Sequence, residues 1–254
     1  MYDFLVVLSN RKMRTIRIYQ PGHYAIGQTI TLSDTAVQHV GLVLRLTVGA
    51  QITLFCGNNY EYQAVLSAVQ KKKIQATIQT MTLANRESPR QIHLAQSLAK
   101  GDKMEWIIQK AVELGVTSVT PLLTERSVVR LDAQRLEKKH QQWQAIALSA
   151  CEQSGRNQIP TIHPACSLAH YLSQSTATYQ WLLSPEAQTS WPKITEPSAE
   201  LAILIGPEGG FSPEERDYAQ QHQVKSIRLG PRILRTDTAA LAAISILQNL
   251  YGDL

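Results

Sequence analysis

The stretch from Leu201 to Leu250 constrains the fold more than any other part of the chain. It carries two glycine-proline turns, Gly206-Pro207-Glu208-Gly209-Gly210 and Gly230-Pro231, each preceded by a short apolar run, Leu201–Ile205 and Ser226–Leu229. Short apolar runs bounded by Gly and Pro read as buried strands. Between them stands a helix start. Ser212 supplies a capping hydroxyl, Pro213 suits the first helical position, and Glu215 completes a capping box. After the second turn, Thr236–Leu250 is rich in alanine and leucine and helical in pattern. The order strand, loop, helix, strand, loop, helix predicts parallel strands, with the two strands adjacent. Ligands of such sheets bind in loops beyond the carboxyl ends of the strands, where both turns fall.

Upstream the pattern changes twice. Residues 13–83 read as a small β domain, with strands over Arg14–Tyr19, Thr29–Leu32, Gln51–Phe55, Tyr60–Ala68 and Ile74–Met81. Gly57-Asn58-Asn59 is a hairpin signal, and Ser33–Arg45 has the spacing of one helix. Many strands around one short helix predict a compact barrel. Lys71-Lys72-Lys73 falls on a turn, and Arg14, Arg17 and Arg45 add charge. Together they make either a phosphate-contacting face or a solvated hairpin tip. Residues 84–90 are polar and read as a linker, and residues 1–12 as an extension ahead of the barrel. Residues 91–254 read as one α/β domain. Its expected elements are a strand Ile92–Leu98, a helix Asp102–Leu114 capped by Asp102, a strand Val116–Leu123, a long helix Leu131–Ser154, a short helix Ser167–Leu172 and a strand Tyr179–Leu183.

Composition narrows the partners. The net charge of +5 favours an anionic partner such as RNA, DNA or an acidic membrane, with plain solubility as the alternative. Three scattered cysteines without a CxxC pair argue against a disulfide framework and for a reducing cytoplasm. No apolar run is long enough for a membrane helix, the apolar run Phe4–Leu8 lacks the preceding basic residue expected of a secretory signal, and no metal-binding motif is present.

The two glycine-proline loops carry the chemistry. Gly206, Gly209 and Gly210 let main chain approach a ligand, since no Cβ intervenes. The loop has neither the Lys-Ser/Thr pair of a phosphate loop nor the spacing of a dinucleotide fingerprint. A nucleotide held here would meet backbone amides and carbonyls, with apolar walls for its base. The plainer reading is a tight turn into a capped helix.

With those residues in view, the chain resembles a known family. ILIGPEGGFSPEE followed by LGPRILRTDTA is similar to the signature of the RsmE family, SPOUT-class methyltransferases that act on N3 of a uridine in 16S ribosomal RNA. The block Gln96–Asp102, with Lys103, Glu105, Lys110 and Glu113-Leu114-Gly115, resembles the family's first α/β segment, and Glu152–Arg156 resembles another family block. Asp237 stands where the family commonly has Glu. The resemblance implies a PUA-like RNA-binding β-barrel and a C-terminal α/β domain knotted as a trefoil. It implies S-adenosylmethionine bound by Ile205, Gly206, Glu208, Gly209, Gly210, Leu229, Gly230, Ile233 and Leu234, with the turn Leu183-Ser184-Pro185 as a third wall. It also implies a homodimer.

Methyl transfer to a protonated ring nitrogen needs a base, or a cation that stabilises the anion left behind. Arg235, Arg232 and Arg156 are the cationic candidates, and Glu208 is a candidate base, as is Glu152. An internal ion pair between Arg235 and Glu152 is the structural alternative. Arg14, Arg17, Lys71, Lys72, Lys73, Lys100, Arg126 and Arg130 are the candidate RNA contacts. His93, His140, His163 and His222 read as structural or surface residues. A non-catalytic RNA-binding assembly factor on the same scaffold and a phosphate-binding hydrolase are the competing functions.

Overall fold

The computed structural model describes residues 16–189, 191, 194, 196 and 198–254, so Arg14 and the 1–12 segment lie outside the described residues. The chain divides into two compact units, Met1–Asn85 and Arg86–Leu254.

In the first unit, β1 (Arg17–Tyr19), β2 (Thr29–Thr31), β3 (Gln51–Phe55), β4 (Tyr60–Gln70) and β5 (Lys73–Leu83) form one sheet in the order β1-β3-β4-β5-β2. The β1–β3 pair is parallel and the others are antiparallel. Period-two alternation turns Ile52, Leu54, Tyr62, Ala64, Leu66, Ile74, Ala76 and Ile78 into one core. Gly57 and Asn59 take the positive φ that the β3–β4 turn requires.

The expected helix over Ser33–Arg45 is broken in two. Helix α1 (Asp34–Gln38) is capped by the Ser33 hydroxyl, and one π-helical turn, His39–Val43, follows it. Gly41 weakens an α-helix at this point. A Cβ there would stand 3.4 Å from Ile74, so the turn packs closely on β5. The wider turn buries Val40 while Leu44 and Leu46 pack against the same core.

Arg17 corrects an expectation. Its guanidinium pairs with Glu61 and lies 4.8 Å over the Phe55 ring, with 10% of the side chain exposed. It is part of the unit's interior rather than an open phosphate contact.

The second unit is built on a parallel sheet. Its strands are β6 (Ile92–Ser97), β7 (Ser118–Leu123), β8 (Thr161–Ile162), β9 (Cys166–Ser167), β10 (Tyr179–Leu183), β11 (Leu201–Ile205) and β12 (Lys225–Ile227). The main path runs β12-β10-β11-β6-β7-β8, with β9 beside β7. Strands β8 and β9 are two residues each, too short for a hydrophobic period to reveal. Every residue of the central strand β11 is buried, as a strand covered on both faces requires. Helices α2 (Lys103–Glu113), α3 (Ala133–Ser154) and α6 (Thr236–Tyr251) pack together, and α4 (Leu168–Gln174) packs with α5 (Pro213–Gln221). Ala202 and Leu204 of β11 join Leu168, Leu172 and Ala219 in the core beneath α4 and α5.

Local signals were mostly sound. The capping box at Ser212 and Glu215 is complete, and the same Glu215 also accepts from the Glu125 amide at 2.9 Å. Asp102, by contrast, makes no side-chain capping bond, because its own φ and ψ of −80° and 1° are not those of a cap.

The larger correction concerns topology. Strands β11 and β12 are not neighbours, because β10 lies between them. The chain leaves β11 through α5 and returns on the far side of β10. The third wall expected from the turn after β10 therefore stands between the other two strand ends rather than beside them.

Arg156 is the other correction. It follows the C-cap glycine of α3 and is 6% exposed. Its Nε donates to Glu87 Oε2 at 3.0 Å, and its Nη1 donates to the carbonyls of Val112 and Val116 at 2.9 Å each. These partners lie ahead of β7, at the end of the sheet away from the glycine-proline loops. Five planar donors need several acceptors, and here the fold supplies them. In this chain Arg156 is an internal tie. Glu87→Ala leaves that guanidinium buried without its carboxylate, and the expected loss is about 3 kcal/mol. Urea unfolding should show it as a lowered midpoint with unchanged slope; an unmoved midpoint would contradict the assignment.

Candidate functional site

The carboxyl ends of β10, β11 and β12 converge on one cavity of about 270 Å³, close to the ~300 Å³ lower bound of ligand pockets. Leu183, which ends β10, is followed by Ser184 and Pro185; Ile205, which ends β11, by Gly206 to Glu208 and Gly210; and Ile227, which ends β12, by Arg228 to Gly230 and Arg232 to Thr236. Ala239 of α6 completes the lining. Of the residues expected to hold a ligand, all but Gly209 line this cavity. Gly209 instead faces Arg126, whose Nη1 donates to its carbonyl at 3.2 Å. A Cβ on Gly209 would stand 3.4 Å from Arg126 Cβ, so the glycine lets the two segments touch.

Two glycines shape the walls in different ways. A Cβ on Gly206 would come within 3.2 Å of the Phe211 amide and ring, and Phe211 is buried. Gly230 has open space around it but holds φ at +148°, a conformation that side chains with a Cβ rarely adopt.

Thr236, Pro207, Ile227, Arg228 and Ala239 line the cavity without having been expected there. Thr236 is the most informative. Its hydroxyl donates to the Gly206 carbonyl at 2.7 Å and accepts from Gln96 Nε2 at 2.9 Å. Both Thr236 and Gln96 are buried. One hydroxyl thus joins the end of β6, the loop after β11 and the start of α6. The only sequence sign was a threonine at the first position of a helix.

Charge is confined to the rim. Arg235 stands at the N-cap of α6 with an extended backbone, no capping bond and an exposed side chain. The considered Arg235–Glu152 ion pair is not formed. Arg232 is exposed as well, and both arginines face the cavity. Glu208 lies 3.7 Å from Lys103, which stands 3.7 Å from Asp237 on its other side. Lys100 is exposed on the turn after β6. Arg130 donates to the Glu125 carbonyl at 2.8 Å, near the Arg126 contact with Gly209. The exposed Lys71 and Lys72 form the tip of the β4–β5 hairpin in the other unit, with Lys73 opening β5.

A second cavity, of about 580 Å³, collects two of the histidines read as structural. His93 Nδ1 lies 2.7 Å from Ser118 Oγ, and its Nε2 is 3.7 Å from Glu200. Burial holds His93 below the usual histidine range, against the pull of Glu200, and burial lowers His163 too. None of these groups reaches the first cavity. Among the described residues no cluster of three or more His, Cys, Asp or Glu is arranged to hold a metal ion. Among the described residues no helix is long and apolar enough to cross a membrane.

Known proteins share this fold. An RNA methyltransferase domain model matches residues 86–248, and an RNA methyltransferase PUA domain model matches residues 32–79. The ribosomal RNA small subunit methyltransferase E of Buchnera aphidicola (subsp. Acyrthosiphon pisum) is 34% identical over 247 residues, covering 97% of each chain. Its counterpart in Bacillus subtilis is 35% identical over 238 residues, covering 89% of this chain and 93% of the other. A crystal structure of a ribosomal RNA small subunit methyltransferase E from Neisseria gonorrhoeae, bound to S-adenosyl methionine, superposes with a TM-score of 0.88 at 39% identity, covering 94% of this chain and 99% of that one. A Legionella pneumophila methyltransferase structure with bound SAM gives 0.91 at 46% identity, covering 95% and 100%.

Thr236→Val removes the bridging hydroxyl at nearly constant volume. It leaves the half-buried Gly206 carbonyl and the buried Gln96 amide without that partner, an expected cost of roughly 2 kcal/mol. Thr236→Ser should recover most of it. Equal denaturation midpoints for the valine and serine variants would rule out the bridge.

Proposed function

We propose that this chain, which belongs to the ribosomal RNA small subunit methyltransferase E family, binds S-adenosylmethionine in the first cavity and methylates N3 of a uridine in 16S ribosomal RNA. Its fold class is a SPOUT methyltransferase domain preceded by a PUA-like domain. One observation carries the site assignment. Three strand ends, far apart in sequence, meet around a pocket walled largely by main chain and apolar side chains. A trefoil-knotted C-terminal path and a cytoplasmic place of action belong to the same reading.

The residues present fit such a cofactor. Leu183, Ile205, Ile227, Leu229, Leu234 and Ala239 offer apolar contact to an adenine ring. Main chain at Gly206, Gly210 and Gly230 offers amides and carbonyls to its polar edges, and no Cβ stands in the way. Pro185, Glu208, Gly209 and Ile233 complete the proposed contacts, Gly209 through its hold on Arg126. When bound, S-adenosylmethionine supplies an electrophilic methyl group on a sulfonium.

The chain's own work is at the rim. Uridine N3 carries a proton and attacks only once that proton leaves. In this reading Glu208, which lines the cavity, accepts it. Arg232 and Arg235, exposed on the same side, offset the negative charge that spreads onto the ring oxygens. N3 is a pairing edge, so the target base must be unpaired or flipped out. Lys100, Arg126 and Arg130 contact phosphates near the cavity. Lys71, Lys72 and Lys73 do so on the PUA-like unit.

Apolar residues at the cavity end favour a homodimer. Ile233 is 84% exposed and Val128 69%, with Trp106 of α2 at 43%. Such side chains are better explained by a second copy than by water.

Two measurements test the reading. Gly206→Val and Gly230→Val should each reduce cofactor affinity by more than tenfold in calorimetry, while the PUA-like unit stays folded. The first acts through crowding of Phe211 and the second through its backbone angle. Normal binding in both would remove the cavity from the mechanism. Small ribosomal subunits from a strain lacking the protein should take up label from methyl-labelled cofactor at one uridine N3. A folded wild-type protein that binds RNA but no cofactor would instead indicate a non-catalytic assembly factor.

A further inference from the structure

The first unit carries an apolar patch that the methyl-transfer cavity does not use. Leu42 is 66% exposed, Val43 70% and Val48 60%. Scattered exposed apolar residues need no explanation, but three from one short stretch do. The stretch is unusual in two further ways. Leu42 and Val43 belong to the π-helical turn His39–Val43, a rare geometry that often marks functional sites. Arg45, just after it, holds φ at 52°, a left-handed conformation that costs a residue with a Cβ free energy.

The loop is held in place. Leu44 N donates to His39 O at 2.9 Å, Leu46 N to Val40 O at 3.0 Å, and Gly49 N to Leu66 O at 2.9 Å. Its outward side chains are thus presented by a fixed backbone. Its neighbours are basic. Gly41 packs on Ile74, and Leu32 N donates to Ile74 O at 2.9 Å, which sets the turn beside the hairpin ending in Lys71 and Lys72. Among the described residues of this unit the carboxylates are Asp34 and Glu61, and Glu61 is paired with Arg17. Only Asp34, at the start of α1, stands against Arg45, Lys71, Lys72 and Lys73.

We infer that this face docks a single-stranded segment of RNA. The three lysines and Arg45 hold phosphates, and Leu42, Val43 and Val48 cover the faces of unpaired bases. A duplex buries its base faces in its own stack, so it would use the cationic half alone. A second copy docking through this same face would meet the same cations and be repelled. The inference rests on the reading that the chain acts on RNA, and it names which form of RNA the PUA-like unit holds.

The test uses the full chain, a fluorescent unstructured oligouridylate and a blunt RNA duplex. Leu42→Ser with Val43→Ser should weaken oligouridylate binding about tenfold, the loss expected for about 1.4 kcal/mol of apolar contact, with duplex binding and the salt slope unchanged. Lys71, Lys72 and Lys73 changed to Ala should weaken both probes and flatten the salt slope by roughly 2. Arg45→Gly removes the charge where glycine is at ease, so oligouridylate binding should weaken while the melting temperature holds or rises. The inference is overturned if the Leu42/Val43 and Arg45 variants bind oligouridylate like wild type. It is equally overturned if the apolar variant loses the duplex to the same degree, or if it shifts the sedimentation of the free protein toward a smaller species. Cofactor affinity is measured in the same samples. Failure there, with strand-selective binding intact, would count against the methyltransferase reading and leave this one standing.

Discussion

The hydroxyl of Thr236 is a small group with wide consequences. It donates to the Gly206 carbonyl and accepts from Gln96, in a place where water has little access. In such surroundings a hydrogen bond is stronger than in water, and a missing one is costly. The three segments it joins are the end of β6, the loop after β11 and the first turn of α6. A pocket made of main chain has no long side chains to adjust its shape, so its precision rests on how firmly its loops are held. The complete capping box at Ser212 secures the far end of the same loop, and Glu215 also ties it to the segment after β7.

The arginines divide by what surrounds them. Arg17 and Arg156 are internal, each satisfied by a carboxylate, the first also over an aromatic ring and the second also by two carbonyls. Arg232 and Arg235 stand in solvent beside the cavity. The first pair maintains the two units. The second is open to a negatively charged substrate, and in the proposed reaction its positive charge is directed at the base being methylated.

Much of this was legible in residue order, because the signals were local. The helix start at Ser212-Pro213 and the hairpin at Gly57 to Asn59 depend on neighbours a few residues away, and the structure forms both. The glycine-proline turns correctly marked the loops that line the cavity. Misreadings came where the partner was distant. Glu61 lies 44 positions from Arg17, and Glu87 lies 69 from Arg156. No spacing rule connects them, so residue order alone offers Arg17 as an RNA contact and Arg156 as a catalytic cation. The π turn escaped for a related reason, since its packing partner Ile74 belongs to β5.

What the chain's residue order determined by itself was the set of parts: two units, parallel strands ending in glycine turns, a capped helix between them, and a family likeness that named the chemistry. The tertiary structure decided how those parts meet. It placed β10 between β11 and β12, brought Leu183 to Pro185 into the pocket wall, and gave Thr236 its two partners. Strand order in a parallel sheet follows from which crossovers can pack over which neighbours, and that competition is settled by contacts across the whole unit.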